Sequence, residues 1–84
     1  MEIQQVKQKI IITNRLAGMG HLPCKVLQNL SGSTSVAIDP IGVEVGDWVF
    51  TIANSSARTA AGDNKIITDL TVGGIIDNWP LETN

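Results

Sequence analysis

The chain has 84 residues, a net charge of −2 and 43% hydrophobic residues, so it is one small domain that buries only roughly 60% of the surface its unfolded chain exposes. One cysteine and one histidine exclude both an intramolecular disulfide framework and a zinc site of the usual Cys/His kind. No apolar run approaches a membrane span, and two Trp, one Phe, no Tyr and few basic residues make a poor nucleic-acid surface. The N-terminal stretch Met1 to Lys9 is polar and mixed, unlike a signal or transit peptide, so a cytoplasmic protein is the expectation. Eleven Ile, seven Val and seven Thr outnumber the twelve Leu and Ala together. Branched side chains suit a pleated surface and lose rotamer freedom in a helix, so the expected fold is all-β.

Ile3 to Asn14 reads as the first strand, with Ile10-Ile11-Ile12 as a stretch buried on both faces. Arg15 to His21 holds two glycines and no period, and reads as a loop. Leu22 to Leu30 alternates and is the second strand, with Pro23 at its entry, where a missing N–H costs least. Ser31-Gly32-Ser33 is a turn. Thr34 to Asp39 is the third strand, with Val36 and Ile38 facing one way, and Asp39-Pro40-Ile41-Gly42 ends it. Gly46-Asp47 is a turn before Trp48 to Ile52, a strand with Trp48, Phe50 and Ile52 on one face.

Asn54 to Gly62 predicts one or two helical turns. Ser55 or Ser56 is the candidate N-cap, Ala57, Ala60 and Ala61 share a face suited to close backbone approach, and Gly62 is the stop. Asp63 to Asp69 is a loop. Leu70 to Asp77 is the last strand, in which Gly73-Gly74 predicts a bulge or the near approach of another backbone. The residues from Pro80 onward read as a loose tail. Five regularly spaced strands with one helical turn predict a small closed barrel of the OB-like kind, because closure removes exposed edges.

The candidate chemical groups are few. His21 and Cys24 stand three apart, but no orienting group or elbow pattern accompanies them, and a loop histidine with a small buried thiol accounts for both. Asp39, Asp47, Asp69 and Asp77 each end a strand, where an Asp side chain bonds nearby backbone N–H groups. No catalytic, cofactor or metal site is expected. Arg58 is the only charge in Asn54 to Gly62, and either snorkels to solvent or pairs with a carboxylate of this chain or a neighbour. Trp48 and Trp79 are large for so small a core, so at least one is expected beneath another subunit.

Four segments together resemble a known family: Ser35 to Gly42 (SVAIDPIG), Val45 to Val49 (VGDWV), Asn54 to Arg58 (NSSAR) and Asp69 to Asp77 (DLTVGGIID). In order and spacing they are similar to the bacterial microcompartment vertex proteins. Thr13 to His21 and Ile76 to Trp79 look most like the α-carboxysome branch of that family, nearer the second of its two paralogues. The family has Gly where Asn54 stands, and Asn is the side chain that best tolerates a left-handed backbone there.

The resemblance implies a pentamer that caps the fivefold corners of an icosahedral carboxysome shell, limiting leakage, beside hexameric shell proteins and without catalysis. In such a pentamer Asn54, Ser55, Ser56, Ala57 and Arg58 are expected near the fivefold axis, with the serines bordering an axial opening and Arg58 tied to Asp47 or Asp77. Trp48, Gly73, Gly74, Asp77 and Trp79 are expected in subunit contacts. No nucleic acid or membrane partner is expected, and the alternative reading is an OB-like module binding oligonucleotide or oligosaccharide.

Overall fold

The computed structural model describes residues 1–62 and 68–77. Trp79, the loop at 63–67 and the tail lie outside the described residues. Five strands close into a barrel: β1 (Glu2–Ile10), β2 (Cys24–Asn29), β3 (Thr34–Ile38), β4 (Trp48–Ala53) and β5 (Leu70–Ile75). Their order around the barrel is β1-β2-β3-β5-β4, with β4 returning to β1. Among the described residues every pairing is antiparallel except β3 with β5, which are parallel and matched only at Ile38 and Thr71. Helix α1 (Ser56–Ala60) lies on the β4–β5 connection.

Alternation decides the core. Each strand turns one small or medium aliphatic side chain inward: Val6, Leu27, Ala37, Val49 and Val72, with Val43 filling from the β3–β4 connection. A narrow barrel favours small and medium side chains inside, because diameter grows with strand number. Trp48, Phe50 and Ile52 therefore share a face, as the alternation predicts, and it is the outer one, half-buried in the isolated chain. A second cluster forms outside the barrel, where Cys24, Ile38 and Ala61 gather Ile10, Ile12 and Leu22.

The first strand is shorter than its sequence suggests. It ends at Ile10, opposite Cys24, because β2 has no earlier residue in the ladder. Ile11 is thus 91% exposed rather than buried on both faces. A bulge at Lys7 moves the strand's parity by one, so that Val6 points inward and Ile10 outward. Before β4, Gly46 adopts φ +98°, donating its N–H to the Val6 carbonyl while the Val6 N–H reaches Asp47. That turn docks the start of β4 on β1 and needs a residue without a Cβ. The loop after β1 contains a single 3-10 turn at Ala17–Met19, and Arg15 holds it by donating Nη1 to the carbonyls of Gly20 and Leu22.

Candidate functional site

The residues singled out in the sequence fall at two ends of the β4–β5 hairpin, with an apolar band between them. At one end β4 runs into the helix through Asn54, which adopts φ +61°. Asn is present because this left-handed position tolerates it without a glycine. Its N–H donates to the Asp69 carbonyl at 2.8 Å, and its own carbonyl accepts the Ala57 N–H.

The helix start departs from the expected side-chain cap. Ser55 is the N-cap and makes no side-chain hydrogen bond to the helix. It sits in helical rather than extended backbone, which turns its hydroxyl away from the free N–H groups. Ser55 and Ser56 are both exposed. At the other end of the helix Gly62, at φ +105°, donates to the Thr59 carbonyl and stops it, as expected.

Five residues of helix do not stand alone. Ala57 presses it onto the barrel: the residue is fully buried, and its carbonyl accepts a 2.7 Å bond from the Thr71 hydroxyl. The small face of α1 thus serves a close approach to the chain's own β5. Ala57 is covered within its own chain and has no surface to offer a neighbour.

Arg58, the next residue, is exposed. Among the described residues it forms no ion pair with Asp47 or Asp77. Asp47 instead accepts the Glu44 N–H at 2.9 Å, and Asp77 lies exposed beyond the end of β5, away from α1. Arg58 lines a groove with Asp69, Thr68 and the outer side chains of β3.

The band crosses three strands on the outer face. Ile3 of β1 lies opposite Phe50 of β4, which lies opposite Gly74 of β5. The register slips between Phe50 and Thr51, whose partners are Gly74 and Val72, so Gly73 is the extra residue of the predicted bulge. A Cβ on either glycine would stand 2.5 Å from a ring carbon of Phe50. The pair is glycine because the Phe50 ring lies across that stretch of β5. Trp48 begins β4 at the far end of the band, half-buried, with its carbonyl accepting the Ile76 N–H.

Neither candidate for chemistry comes together. Cys24 is 2% exposed in the outer cluster, whereas His21 is exposed on the preceding loop. Among the described residues no three His, Cys, Asp or Glu side chains converge as metal ligands would.

One ion pair inside the fold escaped the sequence reading. The Asp39 carboxylate is 1% exposed and accepts the N–H groups of Ile41, Gly42 and Val43 at 2.8–3.1 Å. That is the strand-ending role expected of it. The unexpected partner is Lys25, whose Nζ lies 2.6 Å away, itself 5% exposed. Burial alone raises the carboxyl pKa, but Lys25 and the three N–H groups outweigh it and leave the group below its ordinary 3.8. Sequence parity held the signal: Lys25 is two residues from Leu27, so both point inward. Gln4 is a similar case, 3% exposed, where it donates to Thr51 and accepts from Ser35.

The family profile described as ethanolamine utilisation protein EutN/carboxysome matches residues 1–77. The carboxysome shell vertex protein CsoS4B of Hydrogenovibrio crunogenus is 60% identical over 79 residues, which cover 94% of each chain. The solved structure of CsoS4B from Halothiobacillus neapolitanus superposes with a TM-score of 0.86 at 49% identity, covering 92% of this chain and 99% of that one. GrpN, titled a pentameric microcompartment shell protein, from Rhodospirillum rubrum, superposes with a TM-score of 0.79 at 26% identity over 92% and 95% of the two chains. A match that takes in every strand of the barrel, with relatives this similar end to end, makes the chain a member of the EutN/CcmL family.

Proposed function

We propose that this chain is a structural shell protein of a carboxysome: five copies form a ring that caps a fivefold vertex of the shell and closes it against leakage. The observation that carries the reading is the end-to-end match to a protein named for the shell vertex, 60% identical over 94% of both chains. The pentameric title of GrpN, on the same barrel, supports the number five. The role is geometric. Hexagonal tiles alone pave a flat sheet, and a closed icosahedral shell needs a fivefold piece at each corner. A domain of this size, whose outer face keeps Trp48, Phe50 and Ile52 half-buried, gains stability by covering that face with another subunit. No catalytic step is part of the proposal.

Within the ring, Asn54, Ser55, Ser56 and Arg58 are placed near the axis, where the exposed serines would border the opening. Trp48, Gly73, Gly74, Asp77 and Trp79 belong to the contacts between subunits. The loop at 15–21 faces neighbouring hexameric shell proteins. The alternative, a barrel that binds oligonucleotide or oligosaccharide, draws no support from the CsoS4B relative of Hydrogenovibrio crunogenus or from GrpN, both of which carry shell names. Native mass spectrometry of the purified chain tests the reading: a mass of five chains is expected, and a single chain at all concentrations overturns it.

A further inference from the structure

We infer that the groove between β3 and α1 seats the Ile3–Phe50 band of a second copy of this chain, so that subunits of the ring contact head to tail. The inference rests on the pentameric reading above and gives it a specific pair of faces. A closed ring of five cannot be built from one patch meeting itself, because that contact stops at a dimer; two different patches of each subunit must meet. The described residues offer two such patches on different sides of the barrel. The band lies on β1, β4 and β5, centred on Phe50. The groove opens beside β3, which is flanked by β2 and β5 and touches neither β1 nor β4 in the strand order.

The groove exists because the barrel wall is weakest there. β3 and β5 are matched at one position, Ile38 with Thr71. Among the described residues, the edge that Thr34–Ala37 turn toward β5 is therefore unpaired, an arrangement that a second chain can cover. Helix α1 sits on β5 and supplies the opposite wall through Arg58. The space between measures about 410 Å³ and is floored by Cys24 and Ile38. Val36 is 55% exposed at its rim, on the outer face of a strand where Ile38 is 3% exposed. The band is suited to enter such a seat. Its two glycines leave room for the Phe50 ring across β5, and Trp48 and Ile52 flank that ring on the same outer face of β4, so the band offers a half-buried apolar surface to a neighbour.

The test uses two single variants of the full chain, Val36→Asp in the groove and Ile3→Glu in the band. Both side chains point outward, and far-UV circular dichroism reports whether each variant is folded. Val36→Lys repeats the groove measurement with the opposite charge should Val36→Asp lose its strand signal. Wild type is expected at the mass of five chains and each folded variant alone at the mass of one. An equimolar mixture of the two is expected to contain a species with one chain of each. The Ile3→Glu chain keeps an intact groove and the Val36→Asp chain an intact band, so one good contact remains between them. A wild-type monomer overturns the pentameric reading itself. A wild-type pentamer that Val36→Asp and Val36→Lys leave intact, or variant monomers that form no mixed pair, overturns the head-to-tail assignment alone.

Discussion

Asp39 shows how one side chain can hold a connection of several residues. Its carboxylate gathers three N–H groups of the β3–β4 connection and ties them to Lys25 on β2. The same connection delivers Val43 to the core. Removing the carboxylate leaves Lys25 buried without its counter-charge, so Asp39→Ala should lower stability by about 3–5 kcal/mol in urea unfolding. The pH dependence has a definite sign. The folded pKa lies below 3.8, so the stabilisation is fully present above that value and is lost as pH falls through the lower, folded pKa. Melting temperatures followed from neutral pH down through the acid range should fall below about pH 4. The Asp39→Asn protein should show a shallower acid limb than wild type. Asn54 gives a second test at this scale. At φ +61° a side chain that cannot bond its own backbone is strained, so Asn54→Ala should cost about 1–2 kcal/mol while Asn54→Gly stays near wild type. Thermal unfolding of both variants separates that backbone effect from any loss of side-chain contact.

Among the elements, the β4–β5 hairpin joins fold to assembly. Its inner parity fills the barrel with Val49, Thr51 and Val72, and its outer parity carries Trp48, Phe50 and Ile52. The bulge at Gly73 is what brings Gly74 beneath Phe50. Because a Cβ on Gly74 would stand 2.5 Å from the ring, Gly74→Ala must displace Phe50. The expected cost is about 1–3 kcal/mol in denaturant unfolding. A loss within a few tenths of a kcal/mol would mean that the ring moves aside freely and that the glycine pair answers to another chain instead. The small helix follows a similar rule. Its alanine face looks from the sequence like a device for bringing chains together, and in the fold it brings α1 within reach of the Thr71 hydroxyl.

For the whole molecule, the assembly should respond to Arg58 and to the loops in different ways. Arg58 is an exposed cation on the wall of the groove, with no carboxylate partner among the described residues. Arg58→Ala should weaken the ring without unfolding the chain, seen as a shift from five-chain to smaller species on dilution in native mass spectrometry. An unchanged mass distribution removes Arg58 from the contact. The loop that Arg15 braces carries Leu16, 66% exposed, and Ile11 stands beside it on the way out of β1. Shortening that loop should leave the ring intact and impair shell closure, scored by electron microscopy of assembled shells. A ring that falls apart would place the loop in the pentamer rather than at its rim.

Much of this architecture was readable from residue order alone. The five strands, the short helix, its Gly62 stop and the Gly73 bulge follow from period-two patterns and from residues with few backbone options, and these are local properties. The four family segments carry the kinship for the same reason, since they are contiguous runs at fixed spacing. What tertiary structure decided is which parity of each strand faces inward. The bulge at Lys7 reverses β1 partway along, and barrel width sends the aromatic face of β4 outside, neither of which a strand's own pattern states. It also decided who meets whom: Lys25 with Asp39, fourteen residues apart, and Phe50 with the glycine pair. Those contacts depend on the closure of the barrel, and closure is a property of all five strands together.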